Sequence, residues 1–184
     1  MAIRHPFYHV VIAGIERDLR LFEVKPGLKI AILNILGDTE LVQACAKTLA
    51  KQLSGISFDV LVTAETKSIP LAQELSVATK KPYIILRKSY KPYMGKTLQA
   101  ETLSITTGAP QTLYLDEKDQ SMLKGKKAVI FDDVISTGST LEGMKTLMKK
   151  ARAKVVKVAA IFTEGDSEQW KDVIALGNLP LFTE

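Results

Sequence analysis

The stretch KKAVIFDDVISTGST, residues 126–140, decides how the rest of the chain is read. A strand buried on both faces reads as a continuous aliphatic run, and AVIF followed by VI marks an interior strand of a covered sheet. Asp132 and Asp133 interrupt that run near its end, and a turn of small hydroxyl residues around Gly138 comes next. Beyond it Leu141, Met144, Leu147, Met148 and Ala151 recur at helical spacing, so a helix begins near Ser139. Strand, glycine turn and helix start in that order bring backbone N–H groups together where an anion can sit. Gly138 lets the chain turn tightly and approach a ligand, and Ser136, Thr137, Ser139 and Thr140 add hydroxyls. Two carboxylates cannot hold a phosphate, but they accept hydrogen bonds from sugar hydroxyls. Diol acceptors beside a phosphate cradle describe a ribose-phosphate site.

Working outward, the flanking segments repeat the pattern. Residues 28–36 and 59–64 are short and apolar. Between them Leu41, Val42, Cys45, Ala46, Leu49 and Leu53 share one helical face, with Asp38 or Thr39 as cap and Gly55 as stop. Cys45 lies on that stripe and reads as a small buried hydrophobe. A second pair follows: DVLVTA, a polar turn at 65–68, and a helix carrying Pro70 in its first turn, where a missing N–H costs little. Residues 82–87 and 154–162 read as further strands, and 179–182 as a short terminal one. Residues 88–112 lose helical period, and an excursion of that length in a packed domain serves function or moves. Strands alternating with helices predict an α/β fold with a doubly wound, mostly parallel sheet. In such sheets ligands bind beyond the carboxyl ends of the strands, where residues 132–140 fall.

The chain has 184 residues, 46% of them hydrophobic, enough for one domain that folds without disulfides or structural metal. One cysteine and two histidines exclude a disulfide framework and a cysteine- or histidine-rich metal site. No apolar run approaches the about 18 residues of a membrane span, and no cleavage-site pattern follows the N-terminus; a cytoplasmic protein without membrane partners is expected. The net charge of +5 is local. Residues 80–100 and 143–163 each hold six basic residues and no acid, and the remainder is net −7. Neither a Walker A pattern nor G-x-G-x-x-G occurs, which argues against nucleotide hydrolysis and dinucleotide binding. No aromatic-rich motif accompanies the basic stretches, so no nucleic-acid partner is expected.

VIFDDVISTGST strongly resembles the phosphoribosyl-pyrophosphate signature of the type I phosphoribosyltransferases. VTAETKSIPLAQELS, PYIILRKSYKPYMGK and residues 26–38 look like the adenine phosphoribosyltransferase branch, from about Pro26 to the C-terminus. The resemblance implies a single domain over residues 1–184, with about residues 1–36 contributing a small hood and a flexible β-hairpin loop closing over the substrate. It gives the ribose hydroxyls to Asp132 and Asp133 and the 5′-phosphate to Ser136, Thr137, Gly138, Ser139 and Thr140. Glu65, Thr66 and Lys67 become the pyrophosphate loop, with a non-proline cis peptide, and Arg87, Lys88 and Lys91 begin the mobile loop.

Three positions depart from the branch. Residues 104–108 replace a Leu-Glu-Tyr-Gly segment, putting Thr106 where the family has a glutamate; Glu101 lies nearby as a substitute acid/base candidate. Ile30 stands at the aromatic that stacks on the purine, and Ala31 and Ile32 replace the arginine and aspartate after it. Leu28, Ile30 and Ile135 are the base-binding candidates. The resemblance implies transfer of phosphoribose from phosphoribosyl pyrophosphate to a purine, with adenine first, in purine salvage. It implies Mg²⁺ bound through the substrate, with contact to Asp132 and Asp133 through water, and a homodimer. The alternative is a regulator of the same fold that senses phosphoribosyl pyrophosphate or a nucleotide without chemistry.

Overall fold

The computed structural model describes residues 6–103 and 110–183. In chain order the elements are β1 (Phe7–Ile12), β2 (Ile15–Lys25), β3 (Leu28–Ile32), α1 (Thr39–Leu53), β4 (Val60–Ala64), α2 (Ile69–Thr79), β5 (Tyr83–Leu86), β6 (Leu98–Leu103), β7 (Pro110–Leu115), α3 (Glu117–Gln120), β8 (Lys127–Ile135), α4 (Ser139–Lys150), β9 (Lys154–Glu164), β10 (Val173–Leu179) and β11 (Phe182–Thr183). Five strands form an all-parallel sheet in the order β10-β9-β8-β4-β5. The period-two alternation of these strands divides the interior. Leu61, Val129, Phe131, Ala159 and Ile161 pack with α1 and α2, whereas Val60, Val62, Ala128, Ile130 and Ala160 pack with α4. With helices on both faces, the sheet is doubly wound.

Local chemistry sets the helix ends. The Asp38 carboxylate accepts the Leu41 N–H at 3.2 Å as N-cap of α1, and the expected stripe from Leu41 to Leu53 is buried. In α2 Pro70 occupies the first turn. Asp38 and Arg17 also tie the N-terminal sheet to the core. The Arg17 guanidinium grips both Asp38 oxygens, at 2.7 and 2.8 Å, and reaches Glu40 at 2.8 Å. That hydrogen-bonded guanidinium holds the Asp38 carboxyl below its usual range.

The hood is an antiparallel sheet ordered β1-β2-β3-β11. Val10, Ile12, Leu19 and Ala31 turn inward and join the core under α1. Two of its strands, β1 and β2, have no counterpart among the strands read from the sequence, because β2 (IERDLRLFEVK) is charged on its outer face. The apolar run 28–36 forms a strand only to Ile32; beyond it Asn34 accepts the Leu36 N–H and the chain bends into α1. The terminal strand expected at 179–182 is instead two strands. β10 ends at Leu179, and after Pro180 the chain crosses to the hood, where Phe182 pairs with Lys29 and sets its ring 5.2 Å from Tyr8.

The excursion 88–112 resolves in part into the antiparallel β6–β7 hairpin, joined to the sheet by mutual N–H···O bonds between Arg87 and Tyr114. It packs on α4 at Gly143, where an added Cβ would lie 2.1 Å from Thr102 Cγ2. Thr106 and the rest of residues 104–108 lie outside the described residues. Among the described residues no helix is long and apolar enough to cross a membrane.

Cys45 is fully enclosed on α1, and burial first, with the Asp38 charge second, pushes its thiol up to about 12. The native protein is therefore expected to resist iodoacetamide at pH 8 and to react within minutes once unfolded in guanidinium, as read by mass spectrometry. Ready native alkylation would contradict the burial.

Candidate phosphoribosyl site

The last residues of β8 carry the site. Successive strand side chains point to opposite faces, but at the end of β8 the two carboxylates come together, with Ser68 Oγ 2.6 Å from Asp132 Oδ1 and 3.1 Å from Asp133 Oδ1. Asp132 lines a cavity of about 170 Å³ together with Gln111, Val134, Ile135, Ser136, Thr137, Gly138, Ser139, Thr140 and Leu141. Asp133, expected to share the ribose hydroxyls, is 95% buried and does not line that cavity; Lys67 Nζ stands 3.0 Å from its Oδ2. That contact is an ion pair without hydrogen-bond alignment, and among the described residues Oδ2 has no other partner. Lys67 Nζ also donates to the Leu33 carbonyl at 3.1 Å, which places the 65–68 turn against the end of the hood strand.

Burial first, and the neighbouring Asp133 charge second, push the Asp132 carboxyl up to about 7. The Ser68 hydroxyl acts in the opposite direction by hydrogen-bonding Asp132 Oδ1 at 2.6 Å. The Glu65–Thr66 peptide is cis. Glu65 turns its carboxylate toward Arg87 Nε and accepts the Lys88 N–H at 2.6 Å, so the 65–68 turn and the start of the loop after β5 are bound to each other.

Gly138 opens α4 with φ +79°, a left-handed conformation that favours glycine, and an added Cβ would lie 2.8 Å from the Trp170 ring. Trp170 thus braces the outside of the 136–140 turn, its Nε1 donating to the Glu164 carbonyl at 3.2 Å. Ser136 donates its hydroxyl proton to the Glu164 carboxylate, which is 94% buried at the end of β9. In this arrangement Ser136 presents only its backbone and an oxygen lone pair to a ligand.

The structure therefore brings Asp132, Ile135, Ser136, Thr137, Gly138, Ser139 and Thr140 to one cavity, and Glu65, Lys67 and Asp133 to the adjoining turn. Lys88 and Lys91 are exposed outside that cavity. Glu101 is exposed on β6, between Ala100 and Thr102, whose side chains face α4, so it points to the open side of the hairpin. Leu28 and Ile30 are half-buried in the hood and do not line the cavity. A separate hood cavity of about 620 Å³ is bounded by Phe22, Ile32, Leu33 and Asn34 among others, and Phe22 pairs across strands with Ile30. Ser68, Gln111, Glu164 and Trp170 were not identified from the sequence. Glu164 carries a signal of the same kind as Asp132, an acid closing an apolar strand, two residues beyond the strand read over 154–162.

A family model of the phosphoribosyl transferase domain matches residues 32–176. The chain belongs to the phosphoribosyltransferase family. Among curated members it is 33% identical to an adenine phosphoribosyltransferase of Thermosipho africanus, over 78% of this chain and 81% of that one. It is 31% identical to a hypoxanthine/guanine phosphoribosyltransferase of Methanotorris igneus, over 71% and 67%. It is 29% identical to the purine biosynthesis transcriptional repressor PurR of Bacillus subtilis, over 81% of this chain but only 52% of the repressor. A crystal structure of adenine phosphoribosyltransferase from Thermoanaerobacter pseudethanolicus superposes with a TM-score of 0.71 at 22% identity, covering 87% of this chain and 95% of that one. At that identity the superposition establishes the fold: a phosphoribosyltransferase core of parallel strands with an antiparallel hood.

The raised Asp132 carboxyl gives a stability prediction for this chain. The folded state holds the Asp132 proton more tightly than the unfolded state, so ionisation as pH rises from about 4 to about 7 costs stability, and the cost is complete above pH 7. Asp132→Asn should raise Tm at pH 8 by about 3–8 °C, with a smaller gain at pH 5, in differential scanning calorimetry. An equal gain at both pH values, or a loss at pH 8, would contradict it.

Proposed function

We propose that this family member is an enzyme that joins a purine base, adenine foremost, to phosphoribosyl pyrophosphate, releasing a nucleoside monophosphate and pyrophosphate in purine salvage. The observation that carries the reading is that Asp132 shares one cavity with the helix-opening turn 136–140. A ribose 5-phosphate set there would present a hydroxyl to the carboxylate while its phosphate met the N–H groups and hydroxyls of the turn. The adenine preference is supported by 33% identity along 81% of an adenine phosphoribosyltransferase; the hypoxanthine/guanine relative makes those bases the first competitors.

A ring nitrogen of the base forms the bond to C1′ as the C1′–O bond to pyrophosphate breaks; the bonding pair leaves on the pyrophosphate, and the proton of the ring N–H passes to solvent. The sugar passes through an oxocarbenium-like state, so positioning and charge carry the catalysis. Asp132 orients the sugar, with Asp133 beside it through their shared contact with Ser68. Lys67, beside Asp133, is placed to meet the charge that grows on the leaving group, and Arg87 is fixed toward the same turn by Glu65. Gln111 brings the hairpin to the cavity wall, where it limits the entry of water that would capture the sugar cation.

Mg²⁺ fits this donor set in a limited way. Asp133 Oδ2 is a buried oxygen with no aligned donor, but no group of three potential ligands occurs among the described residues, so the ion would be held mainly by substrate oxygens with the acid pair beside it. When bound, it supplies positive charge to the pyrophosphate.

A second reading, a sensor without chemistry, is favoured by the match to a purine repressor along 81% of this chain, and by Thr106 at the family's glutamate position while Glu101 faces outward. Incubation with Mg²⁺, phosphoribosyl pyrophosphate and a panel of purines separates the two. The enzyme reading expects AMP from adenine above the other products, and turnover abolished by Asp132→Ala with Asp133→Ala, with the fold intact by circular dichroism. Binding of phosphoribosyl pyrophosphate with no product from any base would establish the sensor; full activity in the double variant would overturn the site.

A further inference from the structure

Ser68 opens α2, with 1% of its surface exposed, directly after the turn that carries Lys67. Its side chain makes no cap for that helix. It is spent on the acid pair instead: Ser68 Oγ accepts the Asp133 N–H at 2.9 Å and lies 2.6 Å from Asp132 Oδ1 and 3.1 Å from Asp133 Oδ1. A hydroxyl has one proton to give. The shorter contact assigns it to Asp132. Asp132 Oδ1 takes a second hydrogen bond from the Asp133 N–H, also at 2.9 Å. With Oδ1 engaged twice, no donor among the described residues reaches Asp132 Oδ2, and that oxygen is not among the enclosed unpartnered atoms. The carboxylate is therefore anchored by one oxygen and open at the other, on the side where Asp132 lines the cavity.

We infer that Ser68 is a positioning residue for the phosphoribosyl site: by holding Asp132 Oδ1 it fixes the rotamer that presents Oδ2 to a ribose hydroxyl. This rests on the proposed site but assigns a residue that touches no substrate. The same hydroxyl bridges the 65–68 turn to the end of β8, so the part of the site that meets pyrophosphate and the part that meets ribose are joined through one oxygen. A carboxylate with a charge-assisted bond to its orienting group loses both order and a strong contact when that group is removed. The loss should fall on ligands that carry the ribose diol and spare ligands that meet only the turn.

Calorimetry on wild-type protein and Ser68→Ala, with Mg²⁺ present, reads this directly, using phosphoribosyl pyrophosphate and inorganic pyrophosphate as separate probes. Ser68→Ala should bind phosphoribosyl pyrophosphate about tenfold more weakly and pyrophosphate within about twofold of wild type. In an Asp132→Asn background the same substitution should have less than a twofold effect, because the carboxylate it orients is gone. Equal affinity of wild type and Ser68→Ala for phosphoribosyl pyrophosphate would overturn the inference. So would equal weakening of both probes, which is what a general loosening of the fold produces. If Ser68→Ala does not fold, Ser68→Gly is the replacement variant, with the same expectations. Failure of the wild-type protein itself to bind phosphoribosyl pyrophosphate would instead overturn the phosphoribosyl site as a whole.

Discussion

Two carboxylates stand side by side where a buried strand meets its ligand edge, and the architecture around them answers that one electrostatic problem. Adjacent charges in a desolvated setting raise each other's cost of ionisation. The two carboxylates converge on one Ser68 hydroxyl at the end of β8; Lys67 pairs with the buried Asp133, and Ser68 anchors Asp132. The Asp132 oxygen beside the cavity is left for a sugar hydroxyl to meet. A protein selected for stability alone would not leave a half-buried carboxyl pushed up to about 7 at the end of its central strand.

The surrounding elements act as supports for that edge. The 136–140 turn is braced from outside by Trp170 and from beside by Glu164, both from the end of β9 or the segment just after it. Lys67 touches the Leu33 carbonyl, and Arg17 holds Asp38 and Glu40, so the hood is fastened to the core at the same edge of the sheet. The last strand, β11, closes the hood from the far end of the chain. Elements distant in sequence thus converge on the carboxyl ends of β4 and β8, as a parallel sheet requires of its ligand site.

The core was legible because its signals are local. The α1 stripe from Leu41 to Leu53 and the AVIF run of β8 are each written within a dozen residues, and the structure places them as read. The acid pair and the glycine turn were legible for the same reason. Less could be read where a residue's role depends on a partner far along the chain. Ser68 lies 64 residues from Asp132, and Ser136 lies 28 from Glu164. Nothing near Ser68 distinguishes it from an ordinary helix cap. The charged outer face of β2 masked its strand character, and Gly177 and Asn178, both poor strand formers, sit within β10. The hood is where the base would be chosen, and it is also the part built from strands whose partners come from both ends of the chain.

Discrimination between ribose 5-phosphate and 2-deoxyribose 5-phosphate tests the role of the acid pair most directly, because the two ligands share a phosphate and differ in one hydroxyl. Calorimetric titration of the wild-type protein is expected to show the ribose compound binding at least about tenfold more tightly, the cost of leaving a poised carboxylate without its partner. Equal affinities would mean that the turn at 136–140 reads phosphate alone, and would contradict the assignment of Asp132 and Asp133 to the sugar.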